Sequence, residues 1–230
     1  MSETNRHFHD ELADVRARLV TMSGAAEAAL GRAVEALLER DEAKAQQVIL
    51  GDREIDRKEV DLEERCLSLL ALHQPMARDL RLLMSAVRIA NDLERVGDHA
   101  VNIAQSAMRV SKARPITPEP EIVEMARLTR RMLSDAIDAF LRSDAVMARE
   151  ICVRDDQVDT LNRTVFRILL AHMTQDPQMI GSGMELFLVS RNLERVADLA
   201  TNVAEHVVFL AEGKSIKHHA EDGGEAVSGG

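Results

Sequence analysis

The chain has 230 residues, 39 Asp plus Glu against 29 Lys plus Arg, a formal net charge of −10 at pH 7, and 46% hydrophobic but only 2% aromatic residues. It lacks the basic face that phosphate neutralisation on nucleic acid requires, and no stretch approaches the roughly 18 apolar residues of a membrane span. With five Phe and neither Trp nor Tyr, any core is built from Ala, Leu, Val, Ile and Met, which favours helices over sheets.

The N-terminal MSETNRHFHDELADV has no apolar signal region, so a cytoplasmic protein is expected, meeting a membrane only through its partners. Helix 1 is expected from about Asp10 to Glu39, with Asp41 as N-cap of a helix 2 that ends near His73. Gln74-Pro75 forces a turn into helix 3. There Leu82, Ala86, Ile89, Leu93, Val96, Ala100, Ile103 and Ala107 recur in steps of three and four, the seam of a packed bundle. Cys66 and Cys152 lack CxxC spacing and lie inside helical patterns, as packing residues do. Ser111 to Pro120 is expected to be a linker, and the small, polar KSIKHHAEDGGEAVSGG after Gly213 a disordered tail.

The second half repeats the first. Shifting by 103 lays Met22 on Met125, Ala33 on Ala136, Asp41 on Asp144, Asp52 on Asp155 and Asp56 on Asp159. At the third helix the shift is 100, and DLERVGDHAVNIA at 92–104 lies over NLERVADLATNVA at 192–204, with a short deletion near Pro177. The expectation is an all-α protein of two tandem, pseudo-symmetric three-helix bundles, spanning 1–112 and 117–213, followed by the tail 214–230.

Both third helices carry L-E-R-V-x-D-x-x-x-N, which gives Glu94, Asp98 and Asn102, then Glu194, Asp198 and Asn202. At about 100° per residue with Leu93 at zero, the apolar seam falls between about 280° and 20°, whereas the first trio falls near 100°, 140° and 180°. Acids four apart repel by a few tenths of a kcal/mol, so a plain solvated helix gains nothing from them. Helices 2 and 5 carry the same spacing in Asp52 and Asp56, and in Asp155 and Asp159. In an antiparallel hairpin, residues equidistant from the turn lie at one height. Asp52 with Asp98, and Asp56 with Glu94, are both centred on Pro75; Asp155 with Asp198, and Asp159 with Glu194, are both centred between Asp176 and Pro177.

Four carboxylates at matching heights call for neutralisation by cations or protons, and all-oxygen donors suit Mg, Ca, Mn or Fe. One carboxylate metal site per repeat is therefore expected, from Asp52, Asp56, Glu94 and Asp98 and from Asp155, Asp159, Glu194 and Asp198. The plain alternative is a solvated acidic face whose ion pairs come from Arg53, Arg57, Arg95 and Arg195. Glu59 and Glu63 face Asn162 and Phe166 in the repeat and are read as copy-specific or solvated. No Glu-x-x-His supports a di-iron enzyme, Gly213-Lys214-Ser215 lacks the rest of a phosphate loop, and no general base beside the acids themselves supports a metal-dependent hydrolase.

Through DLERVGDHAVNIA, RNLERVADLATNVA, TMSGAAEAAL, GDREID and QPMARDLRLL, over roughly residues 10 to 213, the chain resembles the PhoU family. The resemblance implies multinuclear metal binding at the paired acids, with Zn added to Mg, Mn and Fe as candidate ions. It also implies a non-enzymatic negative regulator of phosphate uptake and of phosphate-starvation signalling. The implied partners are the ATPase of a phosphate ABC transporter and a sensor histidine kinase; an accessory role at another phosphate transporter and a homodimer are left open. Gly97 and His99 are replaced by Ala197 and Leu199 in the second motif, so only the first site has an imidazole that could stand behind a metal, and the two sites need not be equally occupied.

Overall fold

The computed structural model describes residues 3–113 and 117–216. Six long helices follow in chain order: α1 Glu3–Glu39, α2 Glu42–His73, α3 Ala77–Lys112, α4 Pro120–Arg142, α5 Ala145–Gln175 and α6 Ile180–Glu212. Among the described residues there is no strand, as the aliphatic composition predicts.

The local signals act at the places where the sequence puts them. Asp41 accepts from the backbone N–H groups of Ala43 and Lys44 at 2.9 and 3.0 Å, and Asp144 accepts from Val146 and Met147, both at 3.0 Å. Each cap satisfies helix-end donors that would otherwise be orphaned. The preceding residues, Arg40 and Ser143, are both left-handed, with φ of 56° and 53°, so the two repeats turn the same corner. Pro75 stands between α2 and α3, whereas the α5–α6 corner is a short 3-10 turn, Pro177–Met179, begun by Asp176 accepting from Gln178 N–H. The repeat offset drops by three across this corner.

Helix α1 begins earlier than its sequence pattern suggests, at Glu3 rather than near Asp10. Tertiary contacts account for the difference. Phe8 is 9% exposed and its ring lies 4.7 Å from that of His73, and Glu11 pairs with Arg65 of α2. At the other end Gly213, at φ 73°, caps α6 with its N–H on the carbonyl of Phe209. The Gly-Lys-Ser string is therefore a helix stop. Residues 114–116 of the expected linker and 217–230 of the expected tail lie outside the described residues.

Helices α3 and α6 form the centre. The seam residues Leu82, Ala86, Ile89, Leu93, Val96, Ala100, Ile103 and Ala107 are all at most 3% exposed, and the buried side chains of both repeats make one continuous core. Full burial of a Leu or Val side chain contributes about 1.5–3 kcal/mol, which lets the small aliphatic seam hold helices of 36 and 33 residues together without aromatic anchors. The two helices run antiparallel. Arg81 donates to the Leu210 carbonyl, Ser85 to the His206 carbonyl, His99 pairs with Asn192, and Arg109 with Glu185. These contacts set a pseudo-dyad near Arg95 and Arg195, so both L-E-R-V motifs lie at the crossing. Around this centre α1 and α2 pack on α3, α4 and α5 pack on α6, and α1 touches α4.

Candidate functional site

The α2–α3 hairpin brings Asp52, Asp56, Glu94 and Asp98 together, as their equal distances from Pro75 require. Burial pushes the Glu94 carboxyl up to about 7, and Asp98, Glu59, Asp56 and Asp52 add to the shift. Asp52 is raised for the same reasons, burial first, then Asp56 and Asp98. Glu59 thus belongs to the electrostatic neighbourhood of Glu94. It has no counterpart in the second copy, where Asn162 stands in its place, and only its position one turn beyond Asp56 signals it in the sequence.

The α5–α6 hairpin repeats the arrangement. Burial pushes Asp155 up to about 7, with Asp198, Asp159, Asp156 and Glu194 raising it further. Asp198 is raised by burial while Arg195 pulls it the other way. Both hairpins therefore gather the four expected acids, and desolvation and like charge act together to disfavour the charged forms of Asp52 and Glu94 in one and of Asp155 and Asp198 in the other.

The arginines treat the two clusters differently. None of the four acids of the first cluster makes an ion pair among the described residues. Arg53 and Arg57 pair with no carboxylate there, and Arg95 turns to Asp92 at 3.7 Å. In the second cluster Arg191 meets Glu194 at 2.6 Å and Arg195 meets Asp198 at 3.2 Å. Of the arginine pairs that a solvated face would use, Arg195 meets an acid of its cluster, while Arg53, Arg57 and Arg95 meet none of theirs among the described residues. Each pairing arginine precedes its acid by three residues on one helix, a spacing legible in the sequence but shared by many inert surface pairs.

The donors fit a hard cation in type, and the clusters carry charge that one would relieve. Asp155 Oδ1 is buried with no hydrogen-bond partner. The side chains are not drawn to one point, however: among the described residues no three carboxylate, imidazole or thiolate groups lie close enough to hold a single ion. His99 is not aimed at the first cluster. Its Nδ1 lies 2.9 Å from Asn192 Oδ1, a contact that ties α3 to α6. Asn102 is exposed, and Asn202 lines a groove of about 470 Å³ with His206, Asp92, Glu59 and Glu63. Both cysteines are reduced and inert, their thiols pushed up to about 12 and about 11 by burial. Among the described residues no helix is long and apolar enough to cross a membrane.

A family model described as the PhoU domain matches residues 19–107 and again 122–207. A PhoU homologue of the phosphate-specific transport system from Aquifex aeolicus is 38% identical over 216 residues, covering 94% of this chain and 98% of that one. One from Caulobacter vibrioides is 36% identical and covers 93% of each. Among solved structures, PhoU from Pseudomonas aeruginosa superposes with a TM-score of 0.86 at 36% identity, over 90% of this chain and all of that one. The phosphate transport system regulatory protein PhoU from Streptococcus pneumoniae gives 0.85 at 28% identity, over 90% and 98%.

Proposed function

The chain belongs to the PhoU family, and on that premise we propose that it is a cytoplasmic accessory protein of a phosphate-specific transport system, a metal-binding negative regulator of phosphate uptake and starvation signalling. Its partners on this proposal are the ATPase of the transporter and a sensor histidine kinase. The names of its relatives, accessory and regulatory proteins, support a non-enzymatic role.

The observation that carries the proposal is the duplicated carboxylate cluster at the pseudo-dyad, with Glu94 and Asp155 both raised to about 7. Asp52, Asp56, Glu94 and Asp98 would hold cations in one hairpin, and Asp155, Asp159, Glu194 and Asp198 in the other. Bound cations supply the positive charge that removes the repulsion between facing helices. The protein's own contribution is rigid: two buried seams hold α2 against α3 and α5 against α6, so a gain or loss of charge at the clusters biases the hairpins' outer faces, where a partner would dock.

Elemental mass spectrometry on untagged protein loaded with Mg, Mn, Fe or Zn tests the metal centres. Metal content is expected to fall in steps in Glu94→Ala/Asp98→Ala and in Glu194→Ala/Asp198→Ala. Unchanged content in both variants overturns the assignment of these acids. The regulatory role is tested by phosphate uptake in cells lacking the gene: the wild-type chain restores repression under phosphate plenty, and failure to do so overturns it.

A further inference from the structure

The groove between α5 and α6 just beyond the second carboxylate cluster has chemistry that neither the fold nor the metal centres account for. About 470 Å³ in volume, it is lined by Asn162, Arg163, Phe166, Arg167, Phe187 and Arg191. Two of the chain's five phenylalanines meet here, ring centroids 5.2 Å apart and tilted by 54°. Phe166 is 44% exposed, whereas a large apolar ring left in water costs free energy.

The charges are equally out of place. In a chain of net charge −10, Arg163 and Arg167 pair with no carboxylate among the described residues, and Arg163 donates only to the neighbouring Thr160 hydroxyl. They stand four apart on α5, so their guanidinium groups form a short row along one edge of the groove. Arg191, held by Glu194, closes the other edge.

At the floor Asn162 is only 7% exposed. Its one hydrogen bond is to Ser190 Oγ at 3.0 Å, and the same hydroxyl lies 2.9 Å from the Phe187 carbonyl. A hydroxyl has one proton to give, so whichever end of the amide faces Ser190, the other end has no protein partner. That end of the amide lines the groove and can meet a ligand's hydrogen-bonding edge there.

The corresponding positions of the first repeat carry Glu63 for Phe166, Glu64 for Arg167 and Asn91 for Arg191. The groove is thus particular to the second copy and opposite in sign to its counterpart.

We propose that this groove binds a nucleoside phosphate, the base against Phe166 and Phe187 with its edge on Asn162, and the phosphates on Arg163, Arg167 and Arg191. The combination of an aromatic wall, one buried amide and a row of guanidinium groups matches a flat heteroaromatic ring joined to an anion. An inorganic anion would make no use of the rings, and a purely apolar ligand would leave the arginines unpaired.

Isothermal titration of the full chain with AMP, ADP, ATP and GTP, beside inorganic phosphate and tripolyphosphate, tests the site. At least one nucleotide is expected to bind. Affinity should fall roughly tenfold in Phe166→Ala, from lost stacking, and about a hundredfold in Arg163→Glu/Arg167→Glu, from reversed charge. Glu63→Ala, at the counterpart position, leaves it unchanged. All these side chains are exposed, and circular dichroism melting confirms that the variants fold. Absence of nucleotide binding overturns the proposal. So does tripolyphosphate binding as tightly as ATP, which would mean simple anion capture, or binding that is indifferent to Phe166→Ala and the arginine reversal.

Discussion

Ile55 and Gly97 are matched in size across the first hairpin: a Cβ on Gly97 would stand 3.0 Å from Ile55 Cδ1 and 3.1 Å from Asp52 Oδ1. In the second copy the same two positions hold Val158 and Ala197, both fully buried. The smaller branched residue there leaves room for the methyl that Gly97 omits. The pair sits directly beneath the first acid of each cluster, so the size of one core contact sets how closely α2 can bring Asp52 to α3.

Gly97→Ala sets an overpacking cost of about 1–3 kcal/mol against the roughly 1 kcal/mol that Ala gains over Gly inside a helix, so a net loss of up to about 2 kcal/mol is expected. Ile55→Val alone costs about 0.5–1.5 kcal/mol from the methyl it removes. The double variant, which copies the second repeat, should cost less than the sum of the two, because the clash and the void cancel. Urea denaturation of the four proteins measures the coupling, and strict additivity would refute the size match.

The carboxylate clusters give the cation-free protein a pH dependence. Glu94 and Asp155 have folded pKa values of about 7, above those of an unfolded chain, so between about pH 4 and 7 the folded state binds more protons than the unfolded one. Their contribution to stability is fully present below the unfolded pKa and is lost as pH rises through about 7. Melting temperature in chelator should fall over this range, and Glu94→Gln/Asp155→Asn should flatten the fall. A double variant whose melting curve keeps the wild-type slope would show that these groups do not carry it.

The two clusters should differ in their appetite for positive charge. Arg191 and Arg195 already serve Glu194 and Asp198, while the first cluster has no such partner. In a Glu94→Ala/Asp98→Ala background, Arg191→Gln/Arg195→Gln is expected to tighten Mn binding at the second cluster by about tenfold or more. Independently of metal, NMR titration should show the Asp198 carboxyl rising when the arginines are removed, since both hold it down. A carboxyl that stays where it was would mean the arginines are ornaments of the surface.

The corners between the first two helices of each repeat are separately testable. Removing a cap, Asp41→Ala or Asp144→Ala, should cost about 1 kcal/mol each. Ser143, left-handed at φ 53°, should gain up to about 1 kcal/mol on conversion to Gly, which holds that backbone without a Cβ penalty. At the equivalent Arg40 the guanidinium donates to the carbonyls of Val110, Ser111 and Ala113, so Arg40→Gly loses bonds to the end of α3 and should destabilise. Thermal melts of Ser143→Gly and Arg40→Gly moving in the same direction would contradict this account.

The sequence by itself determined the six helices, the caps at Asp41 and Asp144, and the pairing of the acids. Those features depend on short-range order: period-3.6 apolar spacing, an Asp before a helix, a Pro between two, and the equality of distances to a turn that any antiparallel hairpin imposes. Duplication made them readable twice, and the agreement of Asp52–Asp98 with Asp155–Asp198 turned a weak like-charge pattern into a candidate site. What the tertiary structure decided is everything that depends on how one helix is rotated against another. It set the antiparallel packing of α3 on α6, which merges two repeats into one core and places both motifs at the pseudo-dyad. It sent His99 to Asn192 and Arg109 to Glu185, and it brought Phe166 beside Phe187. Spacing along one helix fixes the face a side chain leaves from, but its partner depends on the crossing angle and on the small residues, such as Gly97, that allow a close approach.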